Sequence, residues 1–330
     1  MFEIDTRALT AVRIGLASII LFQSLTTPLP VDPGPGLGNL IVDYVRVLIV
    51  PFALMLLLGY RTRIATIACW VLYGLPLRPE LFTPGGLLPL ESYMVTLFLF
   101  WGAFLPLGAH LSIDSRRRAP SARPGRILSV ASAAFLIQMF IIYFSAGVTK
   151  DMGEWVVQAT ALETIFGLPT YTGDLGRAML AFPVILAVGS VVTILLEIVG
   201  SLLLFVPGKA LPTRRMVITL AFIGFHLALA VFMSPIGRFP YVMMVVWLVF
   251  LPAAFWDRVT RRPMVMEPIV DINRVRNVGA SIALFYAFVS NFITWMYYPA
   301  TEGFPAFWQS IGKSLLIYQQ WAMFSVPSSL

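Results

Sequence analysis

The residues best suited to chemistry surround Lys150, where a long apolar segment runs into charged side chains. The stretch QMFIIYFSAGVTK ends at Lys150, and DMGEW follows at once with Asp151, Glu154 and Trp155. The chain has three Lys against 20 Arg, which argues that this Lys was not chosen merely as a positive charge. An amine held partly out of water can become a base at neutral pH, which a guanidinium cannot do. The alternative is structural: Lys150 extends to the membrane interface and pairs with Asp151 or Glu154.

Two more ionisable groups lie inside apolar runs. Glu197 stands in TILLEIVGSLLLF and His226 in FIGFHLALAVF. Ionisable groups within a membrane are costly and by default indicate function. The two side chains could pair with each other. In the structural alternative, Glu197 is neutral or hydrogen-bonded and braces two helices, while His226 is a satisfied bundle residue.

A further group of polar residues precedes and begins another apolar run. LRPELFTPGG carries Arg78, and Glu91, Ser92 and Tyr93 follow at the start of the run. The forked guanidinium of Arg78 suits an anion or a carboxylate. Its alternative role is that of an interfacial anchor.

Resident metal chemistry is poorly supported by the side chains available. The chain has one Cys, Cys69, and two His, His110 and His226. A disulfide within the chain, a Cys-based metal site and a multi-His metal site are therefore excluded. Catalysis would depend on Lys, carboxylates, His, Tyr and backbone dipoles, or on an external cofactor.

The elements that position these residues are predicted to be membrane helices. Hydrophobic residues make up 58% of the chain and charged residues 12%, against about 25% charged in soluble domains. Mean hydropathy is +0.85. The apolar residues gather into about nine runs near the roughly 20 residues that a spanning helix needs. The runs cover about 8–25, 39–59, 63–77, 91–108, 127–149, 181–206, 215–236, 238–255 and 278–298.

The basic residues predict the orientation of this bundle. With the N-terminus in the cytoplasm, inside segments hold 17 Lys and Arg and outside segments hold 5, as the positive-inside rule requires. We therefore predict an all-α integral membrane protein with a cytoplasmic N-terminus and an extracytoplasmic C-terminus. The net charge of +7 is then explained by loops facing an anionic leaflet, without nucleic acid.

A single domain over residues 1–330 is expected, with no large soluble domain. Residues 151–180 are too polar to span, and we interpret them as an amphipathic or re-entrant outer segment. This segment is either a lid over a site or an interfacial helix. The bilayer is the predicted partner, and the location is the cell (inner) membrane if the source is bacterial.

Seven blocks of the chain together resemble the HTTM family, the membrane domains related to vitamin K-dependent gamma-carboxylase. The blocks are DTRALTAVRIG, LLGYRTR, LRPELFTPGG, FLPLGAHLSID, QMFIIYFSAGVTKDMGEW, FHLALAVFMSPIGRFPYVM and YQQWAMF. The resemblance implies a quinone or hydroquinone cofactor and places the family's catalytic Lys on Lys150 and a family His on His226. Where animal carboxylases carry a functionally important His, this chain has Glu91. It also stops shortly after YQQWAMF, where the carboxylases continue into a luminal domain that engages the substrate's propeptide.

Candidate site residues follow from both lines of reasoning. The catalytic candidates are Lys150, His226 and Glu91, and the substrate-binding candidates are Arg78, Tyr93, Trp155 and Glu197.

The sequence is compatible with three functions. The first is a carboxylase-like, quinone-using site on the extracytoplasmic side, which predicts an apolar cavity beside Lys150. The second is a non-catalytic accessory or assembly subunit of a larger membrane complex, with membrane protein partners. The third is a transporter or lipid-handling protein, against which the lack of an internal inverted repeat counts.

Overall fold

A computed structural model describes most of the chain. The described residues are 1–26, 37–77, 90–117, 125–261, 269–270, 273–297, 306–315, 317, 319 and 321. Within them the helices are α1 (Thr6–Thr26), α2 (Leu37–Leu58), α3 (Thr62–Gly74), α4 (Leu90–Ala103), α5 (Ile113–Arg116), α6 (Val130–Val148), α7 (Ala161–Gly167), α8 (Asp174–Ala178), α9 (Pro183–Ile194), α10 (Ser201–Leu203), α11 (Leu211–Phe232), α12 (Phe239–Trp247), α13 (Ala253–Thr260), α14 (Arg274–Tyr297) and α15 (Ala306–Leu315). The strands are β1 (Ile4–Asp5), β2 (Arg126–Leu128) and β3 (Ile269–Val270).

Five of the described helices are long and apolar enough to cross a membrane. They are α1, α6, the continuous helix Pro183–Leu203, α11 and most of α14. Shorter apolar helices cover Tyr44–Leu58 and Leu90–Ala103. The all-α membrane class predicted from the sequence is confirmed, while the count of nine spans stays a prediction.

The chain bends sharply near the end of the apolar run predicted over residues 238–255. Phe239–Phe250 and Ala253–Thr260 meet at an angle of 103°. Leu251 and Pro252 have extended backbone between them. Proline cannot donate the backbone hydrogen bond that would continue the helix, so the chain turns here and leaves as the separate helix α13.

A small sheet joins the N-terminal segment to two connectors at one end of the bundle. Strand β1 pairs antiparallel with β2, which pairs parallel with β3. Ion pairs reinforce this end, with Arg7 Nη2 2.7 Å from Asp5 and Arg7 Nη1 2.8 Å from Asp257. We call it the basic end. These strands were not predicted, because two- and three-residue segments are too short to show the alternation of a strand.

Helix α6 lies at the centre of the bundle and runs away from the basic end. It begins with a reciprocal cap between Ser129 and Ser132, which satisfies backbone groups at the first turn. Farther along, Gln138 Nε2 donates to Gln319 Oε1 at 2.9 Å and Ser145 Oγ donates to Asn291 Oδ1 at 3.0 Å. These bonds join α6 to α14 and to the chain beyond α15.

The segment after α6 folds into short pieces at the opposite end of the bundle. A π-helical turn at Gly153–Val157 is followed by α7 and α8. Trp155 is buried in a small apolar cluster that also contains Phe166 of α7 and Leu186 of α9. The segment therefore packs on the end of α9, beside the residues that follow α6.

Candidate functional site

Lys150 lies two residues beyond the end of α6. Within the helix, Tyr143 and Gly147 lie about one turn apart on one face. This face contacts a second π-helical turn, Leu195–Gly200, within the long apolar helix. A Cβ atom at Gly147 would lie 2.6 Å from Ile198 Cγ1 and 3.2 Å from Glu197 Cβ. Glycine is thus required for the approach that brings Glu197 against α6.

Lys150 and Glu197 form a buried ion pair at this contact. Lys150 Nζ lies 2.7 Å from Glu197 Oε2, and the two side chains are 1% and 5% exposed. The amine also donates to the Ala146 carbonyl oxygen at 3.0 Å and lies 5.0 Å from the centre of the Trp155 ring. Lys150, Glu197 and Trp155, chosen separately from the sequence, are therefore brought together.

The alternative in which Lys150 pairs with Asp151 or Glu154 is not adopted. The Lys150 amine instead turns back toward the last turn of α6, where it contacts the Ala146 carbonyl oxygen and the Glu197 carboxylate. Asp151 instead accepts a hydrogen bond from the backbone N–H of Gly153 at 2.7 Å. The pairing of Glu197 with His226, which the sequence left open, is not adopted either.

His226 belongs to a neighbouring group of aromatic residues. Its Nε2 lies 2.5 Å from the Tyr143 hydroxyl, and Trp247 Nε1 donates to the same hydroxyl at 2.8 Å. The hydroxyl oxygen has two lone pairs, so either the Tyr143 O–H or the His226 Nε2–H can supply the proton of this bond. His226 Nδ1 is a buried atom with no hydrogen-bond partner among the described residues.

Tyr143 belongs to the aromatic group and lies in α6, whose C-terminal end leads to Lys150. Tyr143 and Trp247 were not selected from the sequence as site residues. The usable signal for Tyr143 was its place in the same apolar segment, seven residues before Lys150.

Glu91 lies in a different cluster. Its side chain is 3% exposed, and Arg238 Nη1 lies 3.8 Å from Oε1. Gly237 has a φ of +74°, and a Cβ there would lie 3.4 Å from each Glu91 oxygen, so glycine allows the loop to approach. Tyr93 of the same helix is half-buried. The described contacts thus put Glu91 with Arg238 rather than with Lys150. Arg78 lies outside the described residues.

In the part of the chain that the structure describes, Lys150 belongs to no group that could hold a metal ion and lines neither of the two cavities. No group of three or more His, Cys, Asp or Glu is placed there to hold a metal ion. Two described cavities border α3, and neither is lined by Lys150. The groups that the structure places at Lys150 are the Glu197 carboxylate and the Trp155 ring.

Comparison with known proteins identifies one family. A family model described as the HTTM domain matches residues 34–256, more than half of the chain. Searches of curated proteins and of solved structures found no significant match.

Proposed function

This chain belongs to the HTTM family, and from that premise we propose that it carries a proton-exchange site for a quinol-type lipid. The site is Lys150 with Glu197, on the extracytoplasmic side of a multi-pass bundle with a cytoplasmic N-terminus. The observation that supports this most is the buried ion pair, with 2.7 Å between Nζ and Oε2. Two opposite charges withdrawn from water can exchange one proton and leave a neutral amine beside a neutral acid.

The proposed role of Lys150 is to take a proton from a phenolic O–H. When Glu197 holds the shared proton, the neutral Lys150 amine accepts the phenolic proton and its new positive charge stabilises the phenolate. A bound hydroquinone would supply the acidic O–H and two electrons, which dioxygen would accept. His226, hydrogen-bonded to Tyr143, is the second polar group of the proposed site. Glu91, Tyr93 and Arg78 remain predicted contacts nearer the outer surface.

The competing proposal is an accessory subunit in which the ion pair only joins helices. The enclosure of the pair favours it, since the Lys150 side chain is 1% exposed and its amine already has two acceptors. Forming a buried ion pair costs desolvation free energy, but removing one partner strongly destabilises the fold because the other charge stays buried. In the enzymatic proposal Lys150 must accept and release a proton. In the accessory proposal only its positive charge is needed, to hold Glu197.

The test exploits that difference with Lys150→Arg. Arginine keeps the positive charge and hydrogen bonds but does not act as a base at neutral pH. The full chain is reconstituted in nanodiscs with vitamin K hydroquinone, and oxidised products are quantified by chromatography under air. We expect turnover in the wild type and a loss of at least about 100-fold in Lys150→Arg, the usual contribution of a general base. Lys209→Arg, at an exposed loop residue, is the matched control and should retain wild-type turnover.

Two results would overturn the enzymatic proposal. One is a folded wild-type protein without turnover that purifies in a stoichiometric membrane complex. The other is equal turnover in Lys150→Arg and Lys209→Arg. Either would leave the accessory role as the better account.

A further inference from the structure

A group of polar side chains lies at the end of the bundle opposite the basic end. Helix α1 begins directly after β1, so Phe22 and Gln23 near its other end mark this level. The Tyr73 hydroxyl of α3 donates a hydrogen bond to the Gln23 side-chain oxygen. The guanidinium of Arg238 lies 5.7 Å from the centre of the Phe22 ring, and Glu91 pairs with Arg238. Since α1 is long enough to span the membrane, these residues lie near the level of the lipid headgroups.

The Glu91 carboxylate in this group is buried with one oxygen unpaired. Its side chain is 3% exposed, and Oε2 has no hydrogen-bond partner among the described residues. Arg238 Nη1 lies 3.8 Å from the other oxygen, Oε1, which is too far for a hydrogen bond. A buried carboxylate with so few partners is costly, and buried polar atoms normally have a partner. Oε2 is therefore placed to accept a hydrogen bond from a ligand.

Arg238 connects this carboxylate to the lipid-facing surface. Its side chain is 33% exposed, and the Phe22 ring beside its guanidinium belongs to a residue that is 59% exposed. A guanidinium can bind phosphate oxygens in a fork. A negative group inside and a positive group at the surface thus lie next to each other. The matching ligand carries an ammonium that reaches Glu91 and a phosphate that stays at Arg238.

We infer that Glu91 and Arg238 bind the headgroup of phosphatidylethanolamine, with its ammonium at Glu91 Oε2 and its phosphate at Arg238. Charge complementarity and depth in the membrane are the reasons for assigning this lipid. Gly237 keeps the carboxylate approachable, since a Cβ there would lie 3.4 Å from each Glu91 oxygen. The acyl chains would extend along the exposed apolar surface that includes Phe22.

Other phospholipids match these charges less well. Phosphatidylcholine carries a positive charge, but its trimethylammonium has no N–H to donate to Oε2. Phosphatidylglycerol has hydroxyl donors but no positive charge to offset Glu91. This lipid site uses neither residue of the Lys150–Glu197 pair and does not depend on the proton exchange proposed there.

The test is lipid titration of the full chain in detergent, followed by native mass spectrometry. The probes are phosphatidylethanolamine, phosphatidylcholine and phosphatidylglycerol with identical acyl chains. We expect phosphatidylethanolamine to bind about 10-fold more tightly than phosphatidylcholine, because only its ammonium can form a charge-assisted hydrogen bond with Glu91. Glu91→Gln should remove this difference, whereas Arg238→Gln should weaken both lipids alike, since both carry the phosphate. Glu163→Gln and Arg177→Gln, at exposed residues of the same end, are the matched controls and should bind like the wild type.

A stability measurement separates a binding role of Glu91 from a structural one. Glu91→Gln removes a buried charge and keeps the shape of the side chain, so without added lipid its unfolding midpoint in SDS should be no lower than that of the wild type. Added phosphatidylethanolamine should raise the midpoint of the wild type but not that of Glu91→Gln. O-phosphoethanolamine, which has no acyl chains, should not compete with the lipid.

Five results would each overturn the assignment. They are equal binding of phosphatidylethanolamine and phosphatidylcholine to the wild type, tighter binding of phosphatidylglycerol, a preference that persists in Glu91→Gln, a lower midpoint of Glu91→Gln without added lipid, and competition by O-phosphoethanolamine.

Discussion

At the residue scale, the buried amine of Lys150 is held by contacts of three kinds. It has a carboxylate, a backbone carbonyl and an aromatic face as neighbours. Each replaces part of the hydration that the ammonium loses on burial, and the carboxylate supplies most of the attraction. Removing one member of such a buried pair typically costs about 3–5 kcal/mol. A neutral substitution of Lys150 or Glu197 could therefore abolish activity by destabilising the fold. Lys150→Arg keeps the positive charge and so tests the proton transfer more directly.

Tyr143 makes a separate prediction about stability. Tyr143→Phe keeps the ring that lies 4.5 Å from Phe222 and 5.1 Å from Trp247, centre to centre. It removes the hydroxyl, so Trp247 Nε1 and His226 Nε2 both lose their partner. Unsatisfied buried polar groups cost about 1–3 kcal/mol, and we expect the free energy of unfolding to fall by about 2 kcal/mol. SDS titration followed by tryptophan fluorescence measures it.

Tyr241→Phe is the control for this substitution. Tyr241 is 49% exposed, so loss of its hydroxyl should change the free energy of unfolding by less than about 0.5 kcal/mol. If both variants unfold like the wild type, the hydroxyl of Tyr143 does not carry the hydrogen bonds assigned to it.

At the element scale, the π-helical turn at Leu195–Gly200 sets the position of Glu197. A π-helical turn inserts one extra residue per turn, which rotates the side chains that follow, and such turns are frequent at functional sites. Here the turn faces α6 where Gly147 removes the side chain that would hold the two backbones apart. The ion pair is therefore a product of helix packing as much as of residue type.

Gly147→Ala tests that dependence. The added methyl group would lie 2.6 Å from Ile198 Cγ1, so α6 and the π-helical turn must separate. Overpacking of this kind costs about 1–3 kcal/mol, and we expect a loss in the free energy of unfolding within that range. Separation also lengthens the contact between Lys150 and Glu197, so the variant is expected to lose stability even though alanine favours helix.

Gly224→Ala provides the matched comparison in α11. A Cβ there has no atom within 4 Å, so alanine should leave stability unchanged or raise it by up to about 1 kcal/mol through helix propensity. Equal effects at Gly147 and Gly224 would show that close packing at Gly147 is not limiting.

The sequence predicted single polar residues better than their partners. Lys150, Glu197 and His226 were visible because charge is rare in apolar runs. Their contacts were not, because they depend on the π-helical turn, which no simple periodicity encodes. The bend between α12 and α13 was hidden for a related reason. The apolar residues on its two sides form one continuous run, although Pro252 ends the helix between them.

At the scale of the whole molecule, the two ends of the bundle differ: one carries the basic connectors and the other carries Lys150. The sheet of β1, β2 and β3 joins the N-terminal segment to two connectors at the basic end. Helix α6 starts beside that sheet and ends near Lys150. The sequence predicts that the basic end is cytoplasmic. The proposed proton exchange at Lys150 is therefore predicted on the extracytoplasmic side.

The lone cysteine makes this orientation directly measurable. Cys69→Ala removes the only thiol in the chain, and a new Cys can then be placed at either end. Lys209 is exposed in a basic connector, and the Asp174 side chain is 96% exposed near the opposite end. In intact cells, a membrane-impermeant maleimide should label Asp174→Cys and leave Lys209→Cys unlabelled until the membrane is permeabilised. The reverse pattern would place Lys150 on the cytoplasmic side, and labelling of both in intact cells would show that the two ends do not lie on opposite sides.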